Sequence, residues 1–304
     1  MPPSRIRSGA AALLGLTLMA ASPGPGGASP EEDYRRQIEA WRAGRLGRLT
    51  SDTGWLTVVG LFWLEPGKNA VGGDPGNRVV LPAGKAPAYA GTLDRAGDAV
   101  TFHAAPGAGV TSGGKPVASL ALRADVDGEP TILSTGTVSF FVIRRGDRLG
   151  VRVRDSDSAA RRAFHGIRSY AVDPRWRVEA RFEPYAPPRK IAIPTILGTT
   201  ELEESPGALV FELSGKTYRL DPVLETGETD YFVIFADRTN GTDTYGAGRF
   251  VYAPPPVGGR TVIDFNKAYN PPCAFTAYAT CPLPPPQNRL PVRVEAGEKT
   301  YGHP

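Results

Sequence analysis

The sequence predicts a mainly β protein, two sandwich- or barrel-like lobes preceded by one N-terminal amphipathic helix. Two observations carry that reading. Helical periodicity sustains itself over only one long stretch, and after it short β-branched and aromatic runs recur between glycine- and proline-rich turns. The 304 residues are enough for two domains with substantial cores.

Residues 1–28 read as a secretory leader. Arg5 and Arg7 precede the apolar run Ala11 to Ala20 and the small and breaker residues "ASPGPGGAS". The run is too short to span a bilayer, which needs about 20 apolar residues. The expectation is an exported protein, secreted or periplasmic, with no membrane span after cleavage. Residues 29–49 are the helix: Ser29 caps it, Pro30 starts it, and Glu32 completes a capping box, while Tyr34, Ile38 and Trp41 form one apolar stripe.

Residues 50–156 form the first β domain. It opens on "GWLTVVGLFWL", read as a buried strand or hairpin, and continues through "NRVVLP", "AVTFHA", "TVSFFVIRR" and "RLGVRVRD" with turns such as "GGDPGN" and "SGGKP" between them. Residues 157–304 form the second. Leu209, Phe211 and Leu213 share one strand face there, and Ile263 and Phe265 another. This domain carries a strap, residues 264–292, with seven prolines and both cysteines. Proline fixes φ and biases its predecessor toward extended geometry, so the strap is stiff before any partner arrives.

Composition excludes some classes of function. The formal charge of +4 falls to +2 once Arg5 and Arg7 leave with the leader, too slight an excess for a nucleic-acid binder. The densest basic cluster, residues 142–155, alternates Arg152 and Arg154 with Val151 and Val153; the arginine face is either solvated or in contact with an anion. No nucleophile elbow, phosphate loop or zinc-protease motif occurs, and no cofactor signature. His165, the one loop histidine with basic neighbours, has no identified partner. Cys273 and Cys281 read as a disulfide in an exported chain; a metal site is not expected, because no CxxC or HxxxH supplies further ligands.

Three roles stay open for the strap. It is a binding platform for a small or extended polar ligand, carbohydrate or cell-envelope material among them, through Tyr245, Arg249, Asp264, Asn266, Tyr269, Asn270 and Asn288. It is part of a hydrolase acting through Asp264 with Glu295, or through Cys273. Or it is an internal latch with no ligand.

The stretch "DFNKAYNPPCAFTAYATCPLPPPQNRLPVRVEAGEKTYG", with "YGAGRFVY" upstream and "DTGWLTVVGLFWLEPGKNAVGGDPGNRVVLP" near the start, resembles the bacterial and archaeal DUF1684 family, from about Tyr34 to Gly302. That family has no established activity, so the resemblance implies emphasis only. Its hallmark positions match Tyr245, Arg249, Asp264, Asn266, Tyr269, Asn270, Cys273, Cys281 and Asn288.

Overall fold

A computed structural model describes residues 29–225 and 227–302; the leader expected over residues 1–28 lies outside them. The helix spans Pro30–Thr50. Ser29 Oγ accepts the Glu32 N–H at 3.2 Å, and the Glu32 carboxylate accepts the Ser29 N–H at 2.7 Å, so both halves of the capping box are present. Among the described residues no helix is long and apolar enough to cross a membrane.

Two sheets make the first lobe. One has the strand order Val58–Trp63, Arg148–Asp155, Val138–Arg145, Leu133–Thr135, Thr111–Ser112, Lys115–Pro116. The other runs Val79–Val80, Gly67–Gly72, Gly91–Ala96, Ala99–Ala104, Ser119–Leu122. Their inner faces close on one apolar core in which Phe102 meets Phe140 edge-on and Val71, Leu93, Val151 and Val153 are fully buried. Each such side chain contributes about 1.5–3 kcal/mol. The run opening this domain is not all strand: Trp55–Thr57 is a 3-10 turn, and the strand begins at Val58.

The second lobe is built on a long antiparallel pair, Arg177–Pro194 with Thr200–Leu213, flanked by Lys216–Leu220 and Arg260–Asp264. A register shift between Pro184 and Arg189 divides the pair. Its first half packs Ala180, Leu209 and Phe211 with Phe235, Ile263 and Phe265; its far half packs Ile191 and Ile193 with Phe232, Phe250 and Cys281. A separate hairpin pair, Tyr231–Phe235 with Arg249–Ala253, spans both clusters.

Beyond Asp264, which ends the strand Arg260–Asp264, the strap adds no strand to these sheets among the described residues. It advances through 3-10 turns at Phe265–Lys267, Pro272–Ala274 and Pro286–Asn288 and is pinned between them by backbone bonds. Tyr269 and Phe250 exchange N–H and C=O at 2.9 Å each way, Leu283 N–H reaches Pro194 O at 2.7 Å, and Leu290 N–H reaches Ala236 O at 2.8 Å. One close crossing depends on Gly248, whose φ is +98° and where a Cβ would lie 2.4 Å from Pro284. The strap also touches the first lobe, through Thr276 Oγ1 donating to Val58 O at 3.0 Å.

Candidate functional site

Four polar side chains of the strap, Asp264, Asn266, Asn270 and Asn288, are turned inward, as is Arg249 on the neighbouring strand. Arg249 is fully buried; its Nη2 donates to Asp237 Oδ2 at 2.7 Å and to Val294 O at 2.8 Å, and its Nη1 donates to Ala296 O. Burial pulls its pKa down, and Asp237 opposes that pull. The carboxylate paired with Arg249 is Asp237. Asp264 Oδ1 accepts from the Tyr34 hydroxyl at 2.8 Å and from Asn266 N–H at 3.1 Å. Asn266 Nδ2 donates to Tyr34 Oη and to Asp173 O, both at 2.9 Å.

Asn270 donates its N–H to Glu298 Oε2 at 2.7 Å and its Nδ2 to Lys299 O at 2.8 Å, while its carbonyl accepts from Arg45 at 2.8 Å. Asn288 bridges Asp221 and Ile234 through its amide. Arg249, Asp264, Asn266, Asn270 and Asn288 are all buried. The expectation that these five present themselves to a ligand is corrected accordingly: the hydrogen bonds they make go to the protein's own groups, with only Arg249 Nε and Asn270 Oδ1 of their side-chain atoms left without a partner among the described residues, because Arg249 and the strap lie between packed elements rather than on top of them.

The remaining positions separate. Tyr245 is half-buried and donates to Cys273 O at 3.1 Å. Glu295 is exposed and paired with Arg293 at 2.9 Å, whereas Asp264 is buried under the N-terminal helix; they do not form a carboxylate dyad. The expected Cys273–Cys281 disulfide is not formed. Both are free thiols, and the Cys281 sulfur instead accepts the Cys273 N–H at 3.2 Å. Of the seven predicted ligand contacts, Tyr269 alone borders the large open space between the lobes.

That space is a cavity of about 1110 Å³ between the lobes, closed on one side by the end of the N-terminal helix and the Trp55 turn. Its middle is aromatic: Trp55, Phe232, Phe250, Tyr252 and Tyr269. Tyr252 and Tyr269 lie nearly parallel, centroids 6.3 Å apart, and Arg45 covers Tyr269 at 4.7 Å. The strap contributes Tyr269, Pro272, Thr280, Cys281 and Pro282.

The first-lobe wall is basic. Strand alternation sends Val151 and Val153 into the lobe core and Arg152 to the opposite face, where the second lobe covers it to 4% exposure. Its guanidinium stacks on Trp55 at 4.9 Å and reaches Thr280 Oγ1 at only 3.4 Å; its Nε has no partner and no carboxylate pairs with it among the described residues. Burial, then the neighbouring Arg145, lowers its pKa to about 10, so it stays cationic at neutral pH. Arg145 is already paired with Asp125 at 2.8 Å and bonded to Thr280 at 2.9 Å.

The second-lobe wall is acidic. Glu201 and Glu203 point into the cavity from alternate positions of one strand, and Leu202 between them is 66% exposed. Burial, then the charges of Glu201 and Glu225, raises the pKa of Glu203. Glu225 accepts the Tyr252 hydroxyl at 2.7 Å. No group of three His, Cys, Asp or Glu side chains among the described residues is arranged to hold a metal.

Residues 162–299 match the family model DUF1684, described as a protein of unknown function. The chain belongs to the DUF1684 family. The match to DUF1684 is narrower than the resemblance read from Tyr34 to Gly302: it takes in the second lobe and the strap, hence the acidic and aromatic walls. Arg152, Trp55 and the helix lie outside it. An uncharacterized protein of Haloarcula marismortui, solved by solution NMR, is 32% identical, with 46% of this chain and 79% of that one covered and a TM-score of 0.40. No curated protein matches the chain.

Trp55, Tyr252, Arg152 and the three glutamates were not among the predicted contacts. The only signal for any of them was the alternating arginine run, whose buried face is indistinguishable in sequence from a wet one.

Proposed function

We propose that this DUF1684 protein binds a small organic anion in the cavity between its lobes. Arg152 holds the anionic group, the aromatic middle beds a flat or sugar-like body, and the glutamate wall accepts hydrogen bonds from hydroxyl or ammonium groups. One observation carries the reading: a cationic guanidinium, 4% exposed, lines a large cavity with no carboxylate in ion-pair contact with it among the described residues. Burying an unpaired charge is costly, and a ligand carboxylate or phosphate removes that cost. The leader-like pattern over residues 1–28 supports a place of action outside the cytoplasm. The strap's part is to hold Tyr269 and Thr280 rigidly at the cavity edge.

The test is thermal melting of the protein with inorganic phosphate, benzoate, phenyl phosphate and glucose 6-phosphate. A ligand at a hundred times its Kd adds about 2.7 kcal/mol of stability, a clear rise in Tm. At least one probe is expected to give a saturable rise that Arg152→Gln abolishes and Asp264→Asn retains from a lower starting Tm. No saturable rise with any probe, or an undiminished one in Arg152→Gln, overturns the proposal.

A further inference from the structure

The cavity reading leaves one pair of nucleophilic side chains without a role. Cys273 sits in the Pro272–Ala274 turn behind two prolines of fixed φ, and Cys281 directly precedes Pro282, which restricts its backbone. The Cys273 N–H donates to Cys281 Sγ at 3.2 Å, which sets the second sulfur against the first residue's backbone. The Tyr245 hydroxyl anchors the same turn through Cys273 O at 3.1 Å. Cys281 is 4% exposed and lines the cavity, whereas Cys273 is half-buried, so small oxidants have approaches to the pair from two sides.

We propose that Cys273 and Cys281 are a redox-active dithiol that closes reversibly to a disulfide on reaction with a hydroperoxide, changing the cavity wall as it does so. Two free thiols held together but unbonded are the reduced half of such a pair. The thiol of Cys281, the larger influence, and the hydroxyl of Tyr245 together draw the Cys273 pKa to about 7 against the opposing effect of burial. The same neighbour and burial push Cys281 up. Cys273 is thus the attacking thiolate and Cys281 keeps its proton until the second step.

In the first step the Cys273 thiolate attacks one peroxide oxygen and the O–O bond breaks. The sulfur takes up a hydroxyl as sulfenic acid, and the departing hydroxide takes a proton to become water. In the second, Cys281 loses its proton and attacks the Cys273 sulfur; the S–S bond forms, the S–O bond breaks, and a second water leaves. Hydrogen peroxide is reduced to two waters and the two thiols are oxidised by two electrons. A dithiol reductant restores the pair by exchange.

The test begins with the reduced, desalted wild-type chain, titrated with hydrogen peroxide under native conditions and counted for thiols after unfolding. The count is expected to fall from two to zero while the chain stays monomeric on a non-reducing gel, and dithiothreitol is expected to restore both. Cys281→Ser, or Cys281→Ala where serine is poorly accommodated in the buried position, is expected to stop at a sulfenic acid on Cys273 that dimedone labels. Survival of both thiols in excess peroxide, cross-linking between chains, or absence of the dimedone adduct in a folded Cys281 variant overturns the proposal. None of these readouts depends on a cavity ligand, so its failure and that of the binding proposal are separable.

Discussion

Two buried arginines show how differently the same side chain is used. Arg249 has Asp237 and backbone carbonyls around it, and Asp237 in turn accepts Thr239 N–H at 2.8 Å, Thr239 Oγ1 at 2.6 Å and Val294 N–H at 3.1 Å. Asp237→Asn is expected to cost about 3–5 kcal/mol in denaturant unfolding, because the charge left behind has no route to water. Arg152 has no such partner to strand. Arg152→Gln is expected to leave the ligand-free protein equally or more stable by the same measurement, while binding is lost, a combination that a purely structural arginine does not give. The sequence shows Arg152 as one of several alternating arginines; which of them is roofed by another lobe is a fact of tertiary packing.

At the scale of elements, the helix and the strap hold each other. Tyr34 bonds to Asp264 and Asn266, and Arg45 bonds to Glu298 at 3.1 Å and to Asn270 O at 2.8 Å. Tyr34→Phe is expected to lower stability by about 1–3 kcal/mol, since it removes a donor to a buried carboxylate, with little change in probe binding. Gly248→Ala is expected to lower Tm more sharply than an alanine at exposed Gly215, although both glycines have positive φ, because only at Gly248 does a Cβ meet Pro284 and Phe235 O. The helix and the β class were legible because capping and periodicity act locally. The direction of the Thr200–Leu213 side chains was not: alternation separates Glu201 and Glu203 from Leu202, but the usual apolar-inward rule assigns the faces the wrong way round. The polar residues of the strap read from the sequence as ligand contacts are for the most part buried and bonded within the protein, since a sequence does not tell a buried hydrogen bond from one awaiting a ligand.

For the whole molecule, the cavity couples folding to pH. Glu203 has its pKa raised in the folded state, so the folded protein holds that proton to higher pH than the unfolded chain does. Stability from this group therefore falls as pH rises from the unfolded value of about 4.3 through the raised folded value. Glu203→Gln is expected to raise Tm at neutral pH and to lose that advantage below about pH 4, as thermal melts across pH will show. A cationic ligand group at this wall has the same sign of effect.

The contact between Tyr34 and Asp264 spans 230 positions of sequence, and it carries a consequence for biogenesis. During synthesis the first lobe can complete both of its sheets while the helix ahead of them has no strap to grip, and the long hairpin of the second lobe stands half covered. Loop closure over such a separation comes late. A ribosome paused before Asp264 therefore presents a finished sandwich joined to an unsealed apolar surface, the species on which chaperones would be expected to act.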